Sequence, residues 1–144
     1  IEALPAILSA LPSLLETPFI NSPYQSNALT GIGKLLKQEG YATAFYHGAK
    51  NGTMGFDGFI GVSSFGTYYG LNEYSGYVSK DKTGPWGIDD GPYLRYVNTR
   101  LTNTSEPFCA AVFTLSSHHP YAIPAGYKFL PKGTLAIHQI IGVV

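Results

Sequence analysis

The feature that most constrains the fold is the unbroken apolar run Phe108 to Leu115, bounded by Pro107 before it and by the polar Ser116-Ser117-His118-His119-Pro120 after it. A continuous run of this kind reads as a strand buried on both faces of a parallel sheet. A second strand signal, Tyr41-Ala42-Thr43-Ala44-Phe45-Tyr46, is short, β-branched and aromatic. It follows a helical pattern after the single residue Gly40, which is the αβ step of an α/β fold. The strand at 41–46 delivers His47 to its carboxyl end, and the run from Phe108 to Leu115 delivers His118.

The stretches between fit that class. Ile1 to Leu15 carries apolar residues at 4, 7, 8, 11, 14 and 15, a helical spacing that Pro5 and Pro12 must start, kink or stop. Asn27 is placed to cap a second helix with Leu29, Ile32, Leu35 and Leu36 on its apolar face and Gly40 at its end. Met54, Phe56, Phe59 and Ile60 predict a short helix ending near Gly66. From Thr67 to Pro85 the chain has loop composition, with one short strand at Tyr68-Tyr69. Asp89 or Asp90 then caps a third helix bearing Tyr93, Leu94, Tyr96, Val97 and Leu101.

At 144 residues the chain is one domain or part of one. Only 12% of it is charged against 44% hydrophobic, so much of it expects to be covered. Both ends break into apolar patterns, at Ile1-Glu2-Ala3-Leu4 and at Ile140-Ile141-Gly142-Val143-Val144, and read as cuts in a larger domain. Nine basic and nine acidic residues balance without a run of either sign, which argues against a nucleic-acid partner. Cys109 is alone, so an intrachain disulfide is impossible and a buried thiol is expected. No stretch approaches the ~20 apolar residues of a membrane-spanning helix, and no basic leader opens the chain, which as given reads as soluble and untargeted.

Open α/β sheets bind ligands outside the carboxyl ends of their strands, so His47 and His118 are candidates to clasp an anion there. Either can equally cap a turn or bond a carbonyl, and the pattern leaves both readings open. His119 and His138 read as structural or solvent-facing. Lys50, Asn51 and Thr53 could add donors beside His47, although Gly-flanked polar loops are usually turns and this one is no phosphate-binding P-loop. Asp57, Glu73, Asp81, Asp89 and Asp90 are scattered without ligand spacing, so neither a catalytic residue nor a metal site is assigned. Trp86 either walls a pocket against a sugar or glycerol, or anchors the third helix.

Four motifs carry a family resemblance: Gly-Tyr-x-Thr-x-Phe-x-His-Gly at 40 to 48, Asn-Gly-Thr-Met-Gly-Phe-Asp at 51 to 57, Trp-Gly-Ile-x-Asp at 86 to 90, and Phe-Thr-Leu-Ser-Ser-His-His-Pro at 113 to 120. In this order they resemble the extracytoplasmic domain of the lipoteichoic acid synthases and related phosphoglycerol transferases, within the sulfatase and alkaline phosphatase superfamily. Ile1 to Pro5 resembles the stretch after the family's nucleophilic threonine. Pro131 to Thr134, with Ile137 and His138, resembles the run before its next core helix.

The resemblance implies an αβα sandwich with a mainly parallel sheet, incomplete here. It implies a threonine, activated by a divalent metal, usually manganese, that attacks phosphatidylglycerol and passes glycerol-phosphate to a teichoic-acid-type polymer or glycan. The parent protein is then expected at the extracytoplasmic face of a bacterial membrane, held by helices before this piece. His47 and His118 match family histidines that contact glycerol-phosphate, and Asn51 and Trp86 join them as substrate-binding candidates. Met54 and Phe56 stand where those synthases have a Trp and an Arg. The nucleophile would precede Ile1 and the Asp-His metal pair would follow Val144. The piece by itself is therefore expected to bind no catalytic metal and to be inactive. Alternatives are a sulfatase of the same superfamily, a noncatalytic carbohydrate-binding module using the eleven tyrosines, or a self-associating structural piece.

Overall fold

Alternating burial of Thr43 and Phe45 sets Ala42–His47 as strand β1, the middle member of a three-stranded parallel sheet of order β2-β1-β3. Here β2 is Thr67–Tyr69 and β3 is Phe108–Phe113. The computed structural model describes residues 1–75, 79–82, 85–123, 135 and 137–138, so the resemblance at 131–134 lies outside the described residues. The α/β class expected from the two strand signals is the class observed. The chain divides into two compact units, the first comprising Ile1–Tyr46, Asn51–Tyr68 and Thr104–Ala111, the second His47–Lys50, Tyr69–Asn103 and Val112–Val144. No helix among the described residues is long and apolar enough to cross a membrane.

In the first unit, α1 (Ala3–Ser9) buries Leu4, Pro5 and Leu8, and it stops where Ala10 turns left-handed ahead of Pro12. Helix α2 (Ile32–Gln38) corrects one expectation, because it starts after Gly31 rather than at Asn27. Its supposed apolar face is turned outward, with Ile32 44% and Leu35 53% exposed. The reason is Gly33, where a Cβ would come within 2.3 Å of the Phe65 backbone, so the helix packs through its smallest side chain and not through a ridge of leucines. Helix α3 (Phe56–Val62) buries the expected Phe56, Phe59 and Ile60, but it ends at Val62 rather than near Gly66, and Met54 stands before it in a left-handed turn, 37% exposed. Phe45 of β1 meets Phe56 edge-on at 6.2 Å and stacks on Tyr68 at 5.8 Å. Each such aromatic contributes about 1.5–3 kcal/mol by leaving water. Gly66 is required where β2 begins: its φ is +112°, and a Cβ there would lie 2.1 Å from the Thr43 carbonyl oxygen.

Strand β3 also departs from expectation. Its residues are half-buried or exposed rather than enclosed on both faces, Val112 being 39% exposed, and Cys109 is half-buried. An edge strand pairs on one side only, so a continuous apolar run does not by itself put a strand in the middle of a sheet.

The second unit is organised by α4 (Asp90–Thr102), which buries Tyr93 and Val97 while leaving Leu94 exposed. Tyrosine hydroxyls tie the 69–81 segment to it and to itself. Tyr93 Oη donates to the Tyr69 carbonyl at 2.6 Å, Tyr96 Oη to the Glu73 carbonyl at 2.9 Å, and Tyr74 Oη to Asp81 Oδ2 at 3.1 Å. Burial, reinforced by the bond to Asp81 and its charge, pushes the Tyr74 phenol up from its ordinary range, which keeps it a donor. The guanidinium of Arg100 lies 4.5 Å from the centre of the Tyr69 ring.

Candidate functional site

His47 ends β1 in the second unit, and it is wholly enclosed, at 0% exposure. The backbone after it is sealed on several sides: Ile88 N–H donates to the Gly48 carbonyl and Leu71 N–H to the Ala49 carbonyl, both at 2.9 Å. Gly87 crosses so close that a Cβ on it would lie 2.4 Å from the Gly48 oxygen. The imidazole itself meets the edge of Phe113 at 5.3 Å and 83°. Burial lowers its pKa to about 4, so at neutral pH it is uncharged. An imidazolium clasping an anion is not what this side chain supplies.

His118 is different in every respect. It stands exposed in the turn beyond β3, 4.6 Å from the indole of Trp86 in an edge-to-face arrangement. Its Nδ1 lies 2.8 Å from the His119 carbonyl, and a carbonyl oxygen only accepts, so Nδ1 carries the hydrogen. Trp86 Nε1–H donates to that same oxygen. The neutral imidazole therefore keeps Nε2 as its proton-accepting nitrogen, whereas donation from Nε2 to a phosphoryl oxygen requires the protonated form.

Both rings line a notch with Gly87, Ile88, Asp89, Leu115 and Ser116, with a volume of about 20 Å³. That is room for about one water, so a substrate group would rest on its rim, where Trp86 is 42% exposed. The lining is built by a two-way set of bonds. The Asp90 carboxylate accepts from Leu115 N–H at 2.7 Å and from Ser116 N–H at 3.1 Å, while Ser116 Oγ accepts from Asp90 N–H at 2.8 Å. The first free N–H of α4 is thus capped by a serine distant in sequence. Asp89 occupies the N-cap position, but its side chain makes no capping bond.

Of the residues singled out from sequence, Trp86 and His118 share this notch. His47 is in the same unit but not among the notch's lining residues. Asn51, half-buried in the turn before α3, belongs to the first unit. The sequence offers Asp89 or Asp90 as a side-chain cap, and for Ser116 only its place after the apolar run and within the motif at 113 to 120. Other carboxylates serve local backbone, Glu73 accepting from Gly70 N–H at 2.7 Å and Asp57 from Gly58 N–H at 2.8 Å. Among the described residues no three His, Cys, Asp or Glu side chains gather to hold a metal ion. A divalent cation therefore does not fit the donor set described.

A parallel α/β sheet with polar side chains at strand ends defines the class, and solved structures share its fold. The chain superposes on an alkaline phosphatase superfamily protein from Vibrio parahaemolyticus with a TM-score of 0.76 and 23% identity, covering 95% of this chain and 35% of that one. It superposes on the lipoteichoic acid synthase LtaP from Listeria monocytogenes with a TM-score of 0.74 and 17% identity, covering 96% of this chain and 36% of that one. At these identities the likeness is one of fold. Residues 1–132 match the family model described as Sulfatase, and the chain belongs to the sulfatase family. It spans about a third of the length of the two structures.

Proposed function

We propose that this chain is part of a phosphoglycerol transferase, in which glycerol-phosphate passes from a phosphatidylglycerol head group to a hydroxyl of an envelope polymer or glycan. What supports the reading most is the pairing of an exposed indole with an imidazole whose Nδ1–H is committed to the His119 carbonyl. An indole face suits the C–H surface of a glycerol unit, and with Nδ1–H so engaged Nε2 is the nitrogen left to accept a hydroxyl proton. His47 in this reading is a neutral, enclosed side chain that supports the strand end and does not itself touch substrate. The divalent metal usual in the superfamily is no part of what the described residues supply. The membrane attachment and the extracytoplasmic location belong to the same proposal for the longer protein.

The test is made on the native protein that carries this chain, supplied with phosphatidylglycerol labelled in its glycerol head group. Release of diacylglycerol with transfer of label to an acceptor is expected. His118→Ala is expected to reduce it by roughly 100-fold or more, the usual effect of losing a positioned acid or base. Sulfate release from an aryl sulfate without any diacylglycerol would replace this reading with sulfuric ester hydrolysis, the other chemistry to which the family match points.

A further inference from the structure

We propose that Asp90 and Ser116 form a positioning clasp that fixes the separation of Trp86 and His118, and so the geometry of the rim between them. The inference rests on the functional reading of His118 for its catalytic consequence, although the clasp itself stands on geometry alone.

The two walls of the notch come from distant stretches of chain. Trp86 lies four residues before Asp90, and His118 lies two residues after Ser116. The hydrogen bonds between Asp90 and residues 115–116 run in both directions: a carboxylate accepting from two successive N–H groups, and a hydroxyl accepting from the N–H of the aspartate itself. Asp90 is 5% exposed, so these bonds act with little competition from water. Both carboxylate oxygens are engaged, since Ser116 N–H also lies 3.1 Å from Oδ2. An amide at this position would turn an NH2 group toward one of the donors it must satisfy. A serine hydroxyl can serve the Asp90 N–H, whereas alanine leaves that helix-end donor without its acceptor. Loss of either half frees the two walls to move apart, and the Trp86 and His118 contacts with the His119 carbonyl then no longer have a fixed frame.

Trp86 is the one tryptophan of the chain, so its emission reports this contact without interference. At one fixed pH near neutral, the quench by His118 is the difference in Trp86 emission between the unaltered chain and His118→Gln, in which the ring contact is removed. In the 144-residue chain at that pH, Ser116→Ala and Asp90→Asn are expected to lose most of this quench while retaining their far-ultraviolet dichroism. Ser116→Thr, which keeps the hydroxyl, is expected to retain the quench. In the native protein the same two damaging changes are expected to lower kcat by roughly 10- to 100-fold with KM altered less than about twofold, because misplacing a catalytic group by about 1 Å has effects of that size.

If His118→Ala abolishes turnover while Ser116→Ala and Asp90→Asn keep both the quench and kcat, the clasp is overturned and the functional reading stands. If His118→Ala leaves turnover intact, the functional reading fails, and the quench still decides the clasp. Should Asp90→Asn not fold, the Ser116→Ala and Ser116→Thr pair carries the decision, since both leave the carboxylate in place.

Discussion

Acidification should destabilise this chain through one buried imidazole. His47 is fully enclosed, and burial lowers its pKa from 6.5 to about 4. Between those two values the unfolded chain binds a proton that the folded chain refuses, so stability falls as pH falls through that window. The stabilising contribution is complete above the unfolded value and is fully lost below the folded one. A difference of this size corresponds to about 3 kcal/mol in total, at 1.36 kcal/mol per unit. Between about pH 7.5 and about pH 5, roughly 2 kcal/mol of it should disappear. Urea unfolding followed by circular dichroism at the two pH values should show the midpoint falling by roughly 1 M, given slopes of about 1–3 kcal/mol/M. The comparison that isolates the effect is His47→Gln, which cannot titrate. His118, His119 and His138 remain in both proteins, so the difference between the two pH slopes belongs to position 47. Whatever its absolute stability, the variant should lack the acid-dependent part. Parallel pH dependences for the two proteins would refute the reasoning.

Three further outcomes follow from the packing. Gly66→Ala forces a side chain into a φ of +112° and against the Thr43 oxygen, and thermal melting should show a loss of roughly 2 kcal/mol or more. Phe56→Ala removes a wholly buried ring from beside Phe45 and should lower unfolding free energy by about 3–5 kcal/mol in a denaturant titration. Leu94→Ala, on the exposed side of α4, should change it by less than about 0.5 kcal/mol, and a larger loss would mean that this side is covered.

Local pattern carried the fold well where the signal was local. β1 was legible from Thr43 and Phe45 and from the glycine before it, and α3 from the spacing of Phe56, Phe59 and Ile60, because side-chain periodicity and burial agree there. Helix α2 was legible in place but not in orientation. Nothing in a leucine pattern says that Phe65 will approach Gly33 closely enough to make glycine the buried face. β3 was legible as a strand, but its position at the sheet edge depends on pairing partners far away in sequence.

The candidate site divides in the same way. A strand ending in histidine could be read twice, yet exposure could not, since the His47 ring packs against Phe113, a residue far away in sequence. The neighbourhood of Trp86 and His118 was suggested only by family motifs. The bonds of Asp90 to residues 115 and 116 link positions 25 and 26 apart, a separation at which sequence spacing carries no geometric information.

The tyrosines of the second unit have a consequence for what this surface can recognise. A sugar-stacking platform needs a flat ring left open and a phenol at liberty to trade its hydrogen for a saccharide hydroxyl. Tyr74, Tyr93 and Tyr96 have given their hydrogens to main-chain and carboxylate oxygens, and their rings lean on one another at centroid separations of 5.2 to 6.2 Å. They work as rivets, and abundance of an aromatic in a composition is therefore a poor guide to whether that aromatic is available to a guest.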